Sequence, residues 1–411
     1  MGFMILERAR RALAGANLDA LIILSPRHFY YATGHRSWYL GLYSEAGYGA
    51  AIVPADAAVA PAAVISDVEE PPFRETAPDF PNVATYPTWI AYADVPPLSD
   101  TDAFAHLAHY QAGQPARRAG QVDSRDVVRR VASLLHDIGL ARGRLGIERG
   151  FVSAPVLGWL REELPDVEWQ EATPVLEGLR AQKSAVEAAL LRRGTQLAEA
   201  AIGDVMAWIR PGVTGAMVGQ RYRAAVLNRD DRGDVSGARI TLRVGPHVLS
   251  PRSSGNYVLA AGDLVFMDVG VDVAGYLADM GRCFVVGRAS PGQREIYQAL
   301  RAGFDAATER LYVGETPARV FSAGMAAVHA SGLTSYVRGN IGHGIGLHPA
   351  PEWPILSREE PLILAPGHVV SVEFPYYIQG IGAFQIEDTF YLTEGEREVF
   401  NRLSRDLVEV G

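Results

Sequence analysis

The feature that most constrains the fold of this 411-residue chain is an internal repeat in its carboxy-terminal half. Three elements recur 102 to 106 residues apart: a helix-capping pattern at 184 and 290, a second helix start at 214 and 316, and an acid-bearing apolar run at 264 and 369. In each capping pattern a serine precedes Glu187 or Gln293 by three residues, as a capping box requires. The repeat therefore predicts a domain built from two pseudo-symmetric helix-helix-strand halves.

The remainder of the chain is long enough to form a second domain, because 411 residues exceed what one hydrophobic core usually supports. Residues 7–26 show helical periodicity followed by a short apolar run typical of a buried strand. Similar runs at 49–53 and 62–66, with a helical pattern at 126–140, indicate an α/β arrangement. We expect an α/β first domain over residues 1–165 and an α+β second domain over 172–411.

Charge and cysteine content exclude several classes of function. A net charge of −9 argues against a nucleic-acid partner, which requires clustered Lys and Arg. The single cysteine, Cys283, excludes an internal disulfide and a cysteine-based zinc site, and fits a reducing compartment. The first 20 residues lack the apolar run of a signal peptide, and Pro54, Asp56 and Pro61 interrupt the apolar stretch 48–66. These features predict a cytoplasmic protein with no membrane partner.

Two acidic residues interrupt apolar runs in LVFMDVGVDVAGYLADMGRCF, residues 264–284. Burial of an ionised carboxylate requires a partner. If Asp-Val-Ala-Gly at 272–275 forms the turn of a hairpin, Asp268 faces Asp279 directly. Like charges opposed in this way are destabilising. Either one carboxyl group is protonated or a cation lies between them.

The internal repeat predicts further acidic residues near Asp268 and Asp279. An offset of 105 carries Asp268 onto Glu373 in VVSVEFP, and Glu387 interrupts the next apolar run, FQIEDTFYL. His343 lies among four glycines in GNIGHGIGLHPAPEWP, where the backbone can approach a site closely. Four carboxylates would be neutralised by two divalent cations, and oxygen ligands with one imidazole suit Mn, Fe, Co or Zn. Such a metal pair activates water and polarises a carbonyl group.

This constellation resembles the pita-bread family of prolidase, aminopeptidase P, methionine aminopeptidase and creatinase. The likeness covers nearly the whole chain, including LDALIILSPRHFYYATG at 18–34 and LRAQKSAVEAALLRRG at 179–194. The family's dinuclear members use two aspartates, a histidine and two glutamates as metal ligands. These match, in order and motif context, Asp268, Asp279, His343, Glu373 and Glu387. The resemblance implies the pita-bread fold, a homodimer, and hydrolysis of a C–N bond with Glu373 as proton shuttle.

The chain departs from the family where the peptidases carry histidines that contact the substrate. In GPHVLSPRS, Arg252 stands at one such place, with His247 nearby. In the glycine-rich segment Pro351 replaces the histidine before Glu352, and His348 lies upstream. Donors at such places stabilise a developing oxyanion. We take His247, Arg252 and His348 as candidate catalytic residues; Arg252 and His348 could instead be solvated loop residues.

Other candidate substrate contacts follow from the same resemblance. The arginine often found two residues before the last glutamate is Gln385 here, which together with Glu352 becomes a candidate for substrate binding. In the family the first domain often helps to close the partner subunit's active site. Trp38, Tyr39 and Tyr43, in the aromatic stretch 28–43, are therefore further candidates; the alternative is that this stretch forms a core strand.

The sequence leaves three functions open. The first is a dinuclear metallopeptidase of the Xaa-Pro dipeptidase or aminopeptidase type, acting on a small peptide. The second is a relative of creatinase, ectoine hydrolase or the dimethylsulfoniopropionate lyases, acting on a small metabolite; the substitutions at Arg252, Pro351 and Gln385 favour it. The third is a non-catalytic binding protein, against which the retention of all five ligands argues.

Overall fold

The computed structural model describes residues 2–90, 104–105, 107–108, 118, 120–231, 233–249, 255–347 and 351–411. The chain forms two compact units, Met1–Leu179 and Arg180–Gly411. From the sequence we expected the first domain to end at residue 165, whereas internal contacts of the first unit continue to Leu179. Among the described helices, none has both the length and the apolar character that a bilayer span needs.

The first unit is an α/β domain with one six-stranded mixed sheet, as the sequence predicted. Strand order is β4-β3-β2-β1-β5-β6, with β1/β2 and β2/β3 antiparallel and the remaining pairs parallel. The strands are β1 Ala20–Ile23, β2 Ala50–Pro54, β3 Ala62–Ser66, β4 Asn82–Tyr86, β5 Gly143–Ile147 and β6 Val167–Glu171. The helices are α1 Leu6–Gly15, α2 Pro26–Thr33, α3 Trp38–Tyr43, α4 Glu70–Thr76, α5 Ser124–Asp137, α6 Ala154–Glu163 and α7 Thr173–Ala181. The central strands are fully buried, as is typical of a sheet covered on both faces.

The aromatic stretch 28–43 forms most of α2 and all of α3, joined by the non-helical residues 34–37, so the alternative of a core strand is wrong. Two serines begin the helices: the hydroxyl of Ser25 accepts a hydrogen bond from the His28 amide at the start of α2, and that of Ser37 accepts one from the Leu40 amide at the start of α3. Proline at the first position of α2 has a backbone angle already suited to a helix. These local caps outweigh the strand propensity of the aromatic residues.

The second unit has the predicted duplication. Its helices are α8 Ala185–Trp208, α9 Gly215–Leu227, α10 Pro291–Glu309 and α11 Pro317–Ala330, and capping boxes at Ser184 and Ser290 begin α8 and α10. The main strands are β7 Val235–Val244, β8 Leu264–Val273, β10 Met280–Val286, β11 Asn340–Gly344, β12 Glu352–Ser357, β13 Val369–Glu373 and β16 Ile386–Leu392. The shorter strands are β9 Tyr276–Leu277, β14 Tyr376–Ile378, β15 Gly382–Phe384, β17 Arg397–Val399 and β18 Val408–Val410.

The sheet order displays the symmetry of the two halves. The strands run β12-β11-β13-β16-β10-β8-β7, so β10 and β16 meet at the centre. On either side, β8 corresponds to β13 and β7 to β11. The repeat offset of 105 that links Asp268 to Glu373 therefore places these two acids on equivalent strands flanking the central pair.

Strand alternation divides this sheet into a helix-packed face and an acidic face. Met267, Val269 and Val271 of β8 pack with the residues of α8 and α9 in one core cluster. Val370 and Val372 of β13 pack with α10 and α11 in another. Since successive side chains point to opposite faces of a strand, Asp268 and Glu373 lie on the face away from the helices.

His368, just before β13, makes stability of the second unit dependent on pH. Its side chain is buried, and its Nδ1 accepts a hydrogen bond from the Ala365 amide at 3.2 Å. Burial, with the neighbouring Lys183 charge, lowers the pKa of His368 from 6.5 to about 4. Below pH 6.5 the unfolded chain therefore binds a proton that the folded chain does not, which destabilises the folded state as pH falls.

We expect His368→Asn to remove this pH dependence. Between about pH 6.5 and about pH 4 the wild-type free energy of unfolding should lose up to about 3 kcal/mol that the variant retains. Urea unfolding at pH 7 and pH 4.5 measures the difference. His136→Asn, at an exposed position of α5, is the control and should behave as wild type; equal pH dependence in the His368 variant would contradict the prediction.

Candidate metal centre

The β8–β10 hairpin brings Asp268 and Asp279 together, but in a register that differs from the predicted one. The central turn residues are Ala274 and Gly275, with φ of 50° and 86°, rather than Val273 and Ala274. Two positive φ values are the geometry of a type I′ turn, whose twist matches that of the flanking strands. Asp268 therefore pairs with Gly281, so the predicted direct pairing of Asp268 with Asp279 is wrong.

Asp279 reaches Asp268 because it lies in the break between β9 and β10. Its backbone carbonyl accepts hydrogen bonds from the hydroxyls of Ser371 at 3.1 Å and Thr389 at 2.7 Å, both fully buried. These two hydroxyls also lie 3.2 Å apart. Side chains of the β13/β16 half thus fix the position of an acid that belongs to the other half.

Glu373 and Glu387 are directly opposed in the β13/β16 pair. Gly281 is paired with Glu387 on one side and with Asp268 on the other, which aligns the acids across the sheet centre. A Cβ at Gly281 would lie 2.3 Å from the Gln385 side chain. Glycine therefore leaves room for Gln385, whose amide donates a hydrogen bond of 3.1 Å to the Glu387 carboxylate.

His343 approaches the acids from β11. Gly342 before it has a φ of 146°, and a Cβ there would lie 2.1 Å from the Ser371 carbonyl oxygen, so only glycine permits this approach. The Nδ1 of His343 lies 3.0 Å from the Gly344 carbonyl oxygen, which can only accept. In the neutral ring Nε2 is then the free acceptor, and it lies 4.0 Å from an Asp279 oxygen.

The electrostatics of this cluster favour a bound cation. One carboxylate oxygen from each of Asp268, Asp279 and Glu387 lies within 4.8 Å of the other two. Burial, together with repulsion from neighbouring acids, raises the pKa of all three carboxyl groups, well above the ordinary value for Asp279 and Glu387. A divalent ion would relieve that repulsion, and carboxylates with one imidazole suit such an ion. The donor set therefore fits a metal.

Two arginines in this site were missed by the sequence analysis. Arg239 on β7 donates from Nη2 to Asp279 at 2.5 Å and to Asp268 at 3.5 Å. Arg338, just before β11, donates to Glu373 at 2.7 Å. The available signal for Arg239 was a cation inside the strand-forming stretch ARITLRV, residues 238–244.

The acids, His343 and Arg239 border a cavity of about 210 Å³. Its apolar walls are Leu277, Ile345 and Pro351, and Asn340 also contributes. Of the metal ligands expected from the resemblance, all five line this one cavity: Asp268, Asp279, His343, Glu373 and Glu387.

The remaining candidate residues of this unit have other surroundings. The Glu352 carboxylate is bound by Arg180 and by Lys183, the latter at 3.1 Å, which ties it into a buried ion cluster. His247 is exposed, and its Nδ1 lies 3.3 Å from the Gln379 amide. Arg252 and His348 fall outside the described residues.

The three aromatic candidates belong to the first unit and differ in exposure. Trp38 is 52% exposed, while Tyr39 is fully buried and packs edge-on against Tyr86 and Trp89. Tyr43 stacks on Tyr48 with ring centroids 3.8 Å apart. Of these three side chains, Trp38 therefore has the largest exposed surface for a contact.

Comparison with known proteins identifies the family of both domains. Residues 189–394 match the model of metallopeptidase family M24, and residues 5–182 match that of the creatinase/prolidase N-terminal domain. The chain is 28% identical over 270 residues to an Xaa-Pro dipeptidase of Pyrococcus furiosus, covering 64% of this chain and 75% of that one. It is 26% identical over 288 residues to an uncharacterised peptidase, YqhT, of Bacillus subtilis, covering 69% and 79%.

Solved structures share the complete fold. An Xaa-Pro dipeptidase from Bacillus anthracis superposes with a TM-score of 0.78 at 21% identity, covering 98% of this chain and 99% of that one. Dipeptidase PepE from Mycobacterium ulcerans gives a TM-score of 0.76 at 25% identity, covering 98% and 96%. With its two-domain pita-bread fold and its matches to both family models, the chain belongs to metallopeptidase family M24 and is a metal-dependent hydrolase.

Proposed function

We propose that this protein hydrolyses the peptide bond of small Xaa-Pro substrates, as a dipeptidase or as an aminopeptidase. The observation that carries the proposal is the convergence of four carboxylates and one imidazole on a single cavity. The relatives named Xaa-Pro dipeptidase support the choice of substrate class. Resemblance to the family further implies a cytoplasmic homodimer of the 44.4 kDa chain.

The same donor set supports two divalent ions, of Mn, Co, Zn or Fe. Their ligands would be Asp268, Asp279, His343, Glu373 and Glu387. When bound, such ions polarise a carbonyl group and lower the pKa of water, which provides a nucleophile at neutral pH.

Residues of the chain would orient the substrate and move the proton. Glu373 borders the cavity and can take a proton from the attacking water and pass it to the leaving nitrogen. Arg338 holds that carboxylate in place through its 2.7 Å hydrogen bond. Leu277, Ile345 and Pro351 offer an apolar wall of the kind that a proline ring would contact.

A second candidate is hydrolysis or lysis of a small non-peptide metabolite. Pro351 borders the cavity where the resemblance leads us to expect a histidine donor, and the neutral Gln385 replaces an arginine. Both substitutions remove groups that would stabilise a peptide carbonyl during attack. The cavity of about 210 Å³ would also accommodate such a molecule.

A turnover panel decides between these candidates. Purified protein, stripped with a chelator and reconstituted with Mn²⁺, should hydrolyse Ala-Pro or an Xaa-Pro tripeptide and lose that activity again on chelation. Creatine, ectoine and dimethylsulfoniopropionate complete the panel. Turnover confined to these three compounds would exclude the peptidase assignment. A protein that binds no divalent metal after reconstitution would exclude both.

A further inference from the structure

We infer that Arg239 is an internal cation that competes with a metal ion for Asp268 and Asp279 and thereby weakens the binding of one of the two ions. The inference rests on the proposed metal site. It concerns the order and strength of metal binding, which that proposal does not address.

The strand register directs Arg239 to the acids. Arg239 is paired with Gly270 in β8, and Thr241, two residues further on, is paired with Asp268. Arg239 and Thr241 share a face of β7, so the guanidinium lies diagonally across from Asp268. Its hydrogen bonds of 2.5 Å to Asp279 and 3.5 Å to Asp268 engage two of the three carboxylates that lie close enough together to hold a metal ion.

While Arg239 stays in the site, the net negative charge there balances only one divalent ion. The four carboxylates carry four negative charges when ionised, and Arg239 and Arg338 each bring one positive charge to them. Two negative charges remain, which one divalent ion balances. A second divalent ion would lie among like charges unless the Arg239 guanidinium withdrew.

Arg239 is bound in a way that permits withdrawal. Its Nε is buried without a hydrogen-bond partner, so the guanidinium is only partly satisfied where it lies. By contrast Arg282, in the same sheet, donates from all three of its nitrogens. The Arg239 side chain is also 34% exposed and borders the cavity, which gives it space to move. An ion pair with an unsatisfied donor is a poor structural element.

Metal titration of the chelator-stripped protein tests this inference. Isothermal titration calorimetry with Mn²⁺ should resolve a tight and a weak ion in the wild type. In Arg239→Gln, which keeps the size but not the charge, the weak ion should bind about tenfold more tightly or better. Arg243→Gln is the matched control, since Arg243 lies on the same strand and donates to the Leu242 carbonyl instead; its titration should match the wild type.

A thermal scan separates competition from a merely structural role. Metal-free Arg239→Gln should melt below the metal-free wild type, because the acids lose their cation, and the difference should disappear when Mn²⁺ is saturating. A weak-ion affinity unchanged in Arg239→Gln, or a melting deficit that persists with Mn²⁺, would overturn the inference while leaving the proposed function intact. Failure of both proteins to bind Mn²⁺ would overturn the two proposals together.

Discussion

Asp268→Ala is expected to lower turnover of any substrate roughly 1,000-fold or more, because metal-bound charge stabilisation is worth several kcal/mol and each 1.4 kcal/mol is tenfold in rate. Asp268 supplies one of three carboxylate oxygens that lie within 4.8 Å of one another. Its loss should lower the Mn²⁺ content of purified protein as measured by elemental analysis.

In the metal-free protein, the same substitution is expected not to lower the melting temperature. Burial and the neighbouring Glu373 raise the pKa of Asp268, so its ionised form destabilises the fold when no metal is present. Metal-free Asp268→Ala should therefore melt at or above the metal-free wild-type temperature, whereas added Mn²⁺ should stabilise the wild type far more than the variant.

Asp272→Ala is the matched control for this experiment. Asp272 lies on the same strand and accepts a hydrogen bond from the Gly275 amide at 2.7 Å, so its loss should cost about 1 kcal/mol of turn stability. Metal content and turnover should be retained. Full metal content and turnover in Asp268→Ala would show that this carboxylate is not a ligand.

The sequence predicted those parts of the molecule that depend on local pattern. The capping boxes at Ser184 and Ser290 predicted where two helices begin. The repeat offset predicted that Glu373 lies on the strand equivalent to that of Asp268. Strand alternation then put the acids on one face.

Features that depend on register or distant contacts were not predictable in the same way. The turn at Ala274 needs a positive φ that alanine rarely adopts, so residue preference pointed to a different register. The approach of Arg239 to the acids depends on which residue of β7 lies opposite Asp268. Asp279 owes its position to hydroxyls of Ser371 and Thr389, more than 90 residues away in the chain.

Arg282→Met is expected to destabilise the second unit by about 3 kcal/mol, because it removes the donor of several buried hydrogen bonds worth about 1–3 kcal/mol each, while Asp388 keeps Arg405 as an ion-pair partner. The side chains of Arg282 and Asp388 are 3% and 1% exposed and lie 2.6 Å apart. Arg282 also donates to the backbone carbonyls of Gly281, Glu387, Leu403 and Ser404 at 2.7 to 3.0 Å. All five N–H groups of its guanidinium are thereby used.

The position of Arg282 links this loss of stability to the metal centre. It follows Gly281, the residue paired with both Asp268 and Glu387, and its bond to the Glu387 carbonyl joins β10 to β16. Methionine preserves the length and the apolar stem of the side chain. It leaves the backbone carbonyl oxygens that accept from Arg282 buried without that donor, and each such loss lowers the free energy of unfolding. Urea unfolding should therefore show a lower midpoint, and Mn²⁺ content should fall in the fraction that remains folded.

Two comparisons separate the buried network from a general effect of removing an arginine. Arg294→Met removes an ion pair with Glu409 whose side chains are 48% and 32% exposed, and should cost no more than about 1 kcal/mol. Arg282→Lys keeps the charge beside Asp388 but has only three donors for five bonds, so its stability should fall between those of wild type and Arg282→Met. If Arg282→Met unfolds at the same urea concentration as Arg294→Met, the buried hydrogen bonds of Arg282 do not contribute to the stability of the second unit.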